Sequence, residues 1–140
     1  MTRDDYFTLL KEHDDPVHWE YPPDFNYERQ TARVLRFVRD LEPRLGGKLE
    51  YETDSHIQDA SFHSQVMVDG ACLRFSNFGN MIATTDDDSI TASTLDIIKS
   101  LAALHGYIFI PSDLLNEVYT GTNPGVTGIR DWAIRYFDWV

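Results

Sequence analysis

Phe62-His63-Ser64-Gln65-Val66-Met67-Val68-Asp69-Gly70-Ala71-Cys72-Leu73-Arg74-Phe75-Ser76 decides the fold. Two runs rich in β-branched and aromatic residues flank Asp69-Gly70. A two-residue hairpin turn needs positive φ at both central residues, and Asp-Gly supplies it at little cost. The stretch therefore reads as an antiparallel hairpin. Leu49 to Glu52 adds a short strand before it. Phe78-Gly79-Asn80 marks a further turn, and Met81 to Thr85 a strand after it. The middle of the chain is thus an antiparallel meander of about four strands.

Helical spacing frames this meander. Thr2-Arg3-Asp4-Asp5 has the form of a capping box with Asp in place of Glu or Gln. Tyr6, Leu9 and Leu10 share a face behind it, and Asp14-Asp15-Pro16 stops the helix, since the residue before proline is pushed out of the α region. Residues 16 to 26 carry Trp19, Tyr21, Pro22 and Pro23 and read as an ordered, extended connector. Asn26 caps a helix predicted over Tyr27 to Leu45. Its stripe is Tyr27, Thr31, Val34, Val38, Leu41 and Leu45, with Leu35 on the flank and arginines on the remaining faces. Gly46-Gly47 ends it.

After the meander, Ser93 and Asp96 form a second candidate capping box for a helix that runs to His105. Tyr107 to Ile110 is a fifth strand closed by Pro111, and Leu114, Leu115 and Val118 suggest one or two helical turns. Residues 119 to 128 are rich in breakers. A last helix would put Ile129, Trp132, Ala133, Tyr136, Phe137 and Val140 on one face, with Asp131 and Arg135 as an i, i+4 pair outside it. The expectation is one α+β domain spanning residues 1–140, an antiparallel meander of four to five strands packed against helices.

Charge narrows the function. Twelve Lys and Arg stand against 23 Asp and Glu, a net −11 at pH 7. Such a surface repels phosphate backbones and anionic membranes, so neither nucleic acid nor a bilayer is an expected partner. The balance is uneven along the chain. Five arginines lie in the Tyr27–Leu45 helix against Glu28, Asp40 and Glu42, whereas residues 46–128 hold 11 acids against Lys48, Arg74 and Lys99. The N-terminus has no basic region followed by an apolar stretch, and no apolar run approaches a membrane span, so a cytoplasmic protein is expected. The single cysteine, Cys72, is read as a structural thiol in a strand.

Catalytic patterns are absent. There is no Gly-x-Ser-x-Gly, no phosphate-binding glycine loop and no EF-hand spacing around Asp86-Asp87-Asp88. Asp54, His56, Asp59 and His63 are chemically suited to a divalent ion, but their spacing is that of no standard site, and no cofactor or metal is expected. Carboxylates and off-stripe aromatics remain as candidates for partner binding: Asp86, Asp87 and Asp88 as the densest negative loop, Asp54 and Asp59 before the hairpin, and Tyr119 and Trp139 outside the helical stripes.

Ser76-Asn77-Phe78-Gly79, Tyr107-Ile108-Phe109-Ile110-Pro111, Tyr119-Thr120-Gly121 and Arg135-Tyr136-Phe137-Asp138 give the C-terminal half a likeness. It resembles the small acidic immunity proteins of bacterial toxin systems. That resemblance implies a non-enzymatic role, binding and neutralising a cognate toxin, and assigns no contact residues. Two other expectations stand beside it: a small metal-dependent hydrolase built on Asp54, His56, Asp59 and His63, and a structural or assembly subunit. The sequence leaves the oligomeric state and the identity of the basic partner open.

Overall fold

The computed structural model describes residues 1–53, 57, 59–121 and 130–139. The Asp-Gly turn forms as its chemistry requires, with φ +50° at Asp69 and +81° at Gly70. It joins β2 (Phe62–Val68) to β3 (Ala71–Ser76), with Val68 opposite Ala71 and Val66 opposite Leu73. β1 (Tyr51–Thr53) pairs with β2, and β4 (Met81–Thr84) with β3, both antiparallel. β5 (Ile108–Phe109) completes the order β1-β2-β3-β4-β5, but it pairs with β4 in parallel. The expected α+β domain with a four-stranded antiparallel meander is formed, and the one difference is the direction of the fifth strand. α3 (Ala92–Leu104) lies between β4 and β5 and returns the chain to the starting end of the sheet, so the strand it delivers runs the same way as β4.

Helices cover both faces of the sheet. α2 (Tyr27–Leu45) and α3 enclose one core, in which Val34, Phe37, Val38 and Leu101 meet Val66, Leu73, Phe75 and Ile82. On the opposite face α1 (Arg3–Glu12), α4 (Ser112–Leu115) and α5 (Trp132–Phe137) enclose a second, with Leu10, Leu115, Trp132 and Tyr136 against Met81, Ala83 and Ile110. β4 shows why a short strand suffices at this place. Successive side chains point to opposite faces, so Ile82 enters one core while Met81 and Ala83 enter the other, and all four residues of β4 are buried.

Local signals explain most helix ends. Thr2 and Asp5 close both halves of the capping box. The Asn26 side chain accepts from the Arg29 N–H at 3.0 Å, and Gly46 ends α2 with φ +84°. Within α2 the centre of the stripe is Phe37, enclosed against Phe75 and Tyr107, while Leu35 is exposed. α3 starts earlier than predicted. Thr91, not Ser93, is the N-cap and accepts from the Thr94 N–H. Thr91 is the last extended residue, so Ser93 and Asp96 already lie inside the helix. α5 is a shorter helix than the 129–140 periodicity suggests, and Ile129 and Val140 fall outside the described residues. No helix among the described residues is long and apolar enough to cross a membrane.

Candidate functional site

Arg135 is the largest departure from the sequence reading. Asp131 is not its partner, because the Asp131 carboxylate caps α5 by accepting from the Ile134 N–H at 2.9 Å. Arg135 is instead 2% exposed. Its Nε donates to Asp14 Oδ1 at 2.8 Å, and its Nη atoms donate to the carbonyls of Trp19 at 3.1 Å and His18 at 2.9 Å. The guanidinium lies over the rings of Phe78 and Tyr136. The Tyr119 hydroxyl donates to the other Asp14 oxygen at 2.5 Å, and its ring packs edge-on against Trp132. A buried charge pair of this kind is tolerated only when its remaining donors and acceptors are satisfied. Here they are satisfied by the connector of residues 14 to 20, whose path the pair fixes. Tyr119 is therefore a half-buried member of this network.

The connector closes one side of a cleft of about 680 Å³ between the end of α1, the start of α2 and the turn from β3 to β4. His13, Asp15, Asp24, Arg29 and Asn80 line it. Asp15 is held below its usual carboxylate range, first by the Val17 N–H, and also by His18, whose Nδ1 is 2.6 Å from Oδ2. The His13 ring lies against Gly79, which has φ +62°. Asp15 and His13 thus fasten the chain locally, Asp15 to Val17 and His18 and His13 against the turn at Gly79.

Arg29, Arg36, Arg39 and Arg44 are exposed on α2. Arg33 turns inward, donating to Asn80 Oδ1 at 2.7 Å and to the His105 carbonyl at 3.0 Å beneath the Tyr107 ring. On the opposite face of the sheet Arg74 is spent on internal bonds, Nε to Gln65 Oε1 at 3.0 Å and Nη1 to the Phe137 carbonyl at 2.8 Å. Burial pushes its guanidinium below its ordinary pKa.

Several residues singled out from sequence meet on that second face. Trp139 pairs with Ala60 in an isolated bridge, next in the chain to the exposed Asp59. Its indole is 47% exposed, stands edge-on to Phe62 at 4.9 Å, and has the Arg74 guanidinium over one side at 5.0 Å. Asp138 lies 4.0 Å from the same guanidinium. Arg74 and Asp138 then line a groove of about 180 Å³ that runs between β4, α4 and α5 to Thr84 and Ser112. Asp87 sits at that far end. It bonds to Thr84 Oγ1, accepts from the Ser112 N–H at 2.9 Å, and its own N–H donates to Ser112 Oγ at 3.0 Å. Asp86 folds back to accept from the Asp88 N–H and the Ser89 hydroxyl, whereas Asp88 is exposed. The groove is thus lined by Arg74 and Asp138 and by Thr84 and Ser112, to which Asp87 is bonded, while Trp139, Asp86 and Asp88 lie outside its lining. Periodicity could not find Arg74 as the link, since it reads as an ordinary outward strand residue.

Of the four residues considered for a metal, the structure describes two, Asp59 and His63. Asp54 and His56 lie outside the described residues. His63 is enclosed between Phe25 and Phe75, bonded through Nδ1 to Ser64 Oγ at 2.9 Å, and burial lowers its pKa from 6.5 to about 3. Asp59, by contrast, faces solvent. Among the described residues no group of three or more His, Cys, Asp or Glu side chains is placed to hold an ion. Cys72 is half-buried, on the same sheet face as Arg74.

No protein-family model matches the chain, and no curated protein or solved structure shows significant similarity to it.

Proposed function

We propose that the protein is a binding protein that neutralises a basic partner by covering it, in the manner of a bacterial immunity protein acting on a cationic toxin domain. The observation that carries this reading is the net charge of −11, with four exposed arginines gathered on α2. On the opposite face of the sheet Arg74 is committed to internal bonds beside Asp138 and the exposed Trp139, and Asp86 and Asp88 are exposed in the turn after β4. An acidic field steers a cationic partner and raises the encounter rate, while desolvated aromatics supply most of the affinity. The weak likeness of the C-terminal half to immunity proteins points the same way.

Co-expression with a candidate basic toxin domain tests the role directly: the expected result is restored growth. With the purified pair, the association rate is expected to fall steeply as salt rises. Absence of protection, or an association rate indifferent to salt, removes the reading.

A further inference from the structure

We propose that the cleft between the end of α1, the start of α2 and the turn from β3 to β4 is a ligand site, and that it takes a free α-amino acid as its zwitterion. Such a site is independent of the partner-binding role above.

The cleft is held open from beneath. Arg135 donates to the carbonyls of Asp15, His18 and Trp19, and Asn77 Nδ2 donates to that of Glu20 at 2.7 Å. The connector is thereby fixed on a buried frame along its length. A buried ion pair is weak evidence of a stabilising role. What the Arg135–Asp14 pair secures is the path of the connector, and with it one wall of the cleft. A wall set in advance spares a ligand the cost of ordering it.

The other walls keep opposite charges apart. Glu12 ends α1 on one side, and Arg29 stands in the first turn of α2 on the other. Both are exposed, and neither side chain makes a hydrogen bond or ion pair among the described residues. Asp24 lines the cleft in the same unpaired state. Asp14 and Asp15 are committed to Arg135, Val17 and His18, so Glu12, Asp24 and Arg29 are the charges open to a ligand. A ligand of one sign meets a like charge at one wall, whereas a zwitterion sets its ammonium toward the carboxylates and its carboxylate toward Arg29. At the turn, Asn77 is 5% exposed and its Oδ1 has no donor among the described residues. A buried acceptor without a donor keeps its full desolvation cost, so this wall favours a ligand that brings an N–H. The volume, about 680 Å³, is that of a small-molecule site, and the lining is mainly polar, which suits a small charged ligand better than an aliphatic one.

The test titrates each of the standard L-amino acids, at millimolar concentration, into the full chain and follows amide chemical shifts. At least one is expected to bind, with shifts centred on His13, Arg29, Asn77 and Asn80. Its deaminated acid, which keeps only the carboxylate, and its carboxamide, which keeps only the ammonium, should each bind about tenfold more weakly. Arg29→Gln changes an exposed side chain without a partner, so the rest of the spectrum should be unaltered. It should lower the amino acid to the affinity of its carboxamide and leave the carboxamide unchanged. Glu12→Gln should weaken the amino acid and the carboxamide but not the deaminated acid. Binding by none of the set, shifts centred elsewhere, single-charge analogues as tight as the amino acid, or an Arg29→Gln protein with undiminished affinity overturns the site.

Discussion

Arg135 Nε and Asp14 Oδ1 meet at 2.8 Å across 121 residues of chain, with both side chains almost wholly enclosed. Replacing one member leaves the other as an uncompensated buried charge, the costly case for such pairs. Arg135→Ala is expected to lower stability by about 3–5 kcal/mol and Arg135→Met by a similar amount. The double change of Arg135→Met with Asp14→Leu should recover a large part of the loss. Urea unfolding of the wild type, Arg135→Met, Asp14→Leu and the double variant checks this, and an additive double variant would contradict it.

His63 supplies a pH dependence. Its pKa is about 3 when folded against 6.5 otherwise, because burial disfavours the charged ring. The unfolded chain therefore binds the proton more readily over that interval. The stability from keeping the ring neutral is complete above pH 6.5 and is lost as pH falls toward 3. A depression of this size corresponds to a few kcal/mol, about 1.4 for each pH unit. In His63→Phe, the slope of unfolding free energy against pH should flatten between those limits. An unchanged slope would show that other groups govern acid sensitivity.

Gly79 tests the His13 contact. A Cβ at this position would meet the ring Nε2 at 2.5 Å, in a backbone with φ +62°. Gly79→Ala should cost about 1–3 kcal/mol from left-handed strain and the clash together. In a His13→Ala background only the backbone part remains, so the penalty should shrink. Thermal unfolding of both pairs measures the difference; equal penalties would remove the contact from the account.

The Asp86–Asp88 turn should separate structural from surface charge. Asp87→Ala loses its bonds to Ser112 and Thr84 and is expected to cost about 1–2 kcal/mol, the scale of a lost helix cap. Asp88→Asn should leave stability within about 0.5 kcal/mol and slow association with a basic partner at low salt. Denaturant midpoints and stopped-flow rates decide the two halves independently.

The parts of this structure legible from sequence are those written in adjacent residues. Asp69-Gly70 dictates the hairpin, Asn26 and Gly46 bracket α2, and Thr2 with Asp5 closes α1. Legibility fails where the partner is distant. Arg135 looks like half of an i, i+4 pair because its true partner is in another element, and nothing in the spacing of α5 marks it as buried. The direction of β5 depends on where α3 packs, not on Tyr107 to Ile110 themselves. The candidate surface was half legible. Trp139 falls off the helical stripe and the three aspartates stand out by density, but the packing of Trp139 on Arg74 and the bonding of Asp87 to Thr84 and Ser112 depend on distant residues.

The parallel edge gives the sheet an unequal temper. β2, β3 and β4 are joined by short turns, so each of those pairings closes a small loop, whereas β5 reaches β4 only after α3 has been laid down. The Ile108 N–H to Asn80 and Ile110 N–H to Ile82 bonds, each 2.9 Å, fasten it there. That edge should breathe in concert with α3. In native-state hydrogen exchange the amides of Ile108 and Ile110 should open with those of α3, at lower free energy than Val66 and Leu73 in the hairpin. The molecule would then have a slow-opening centre and a hinged flank, with the groove anchored against the slow part through β4.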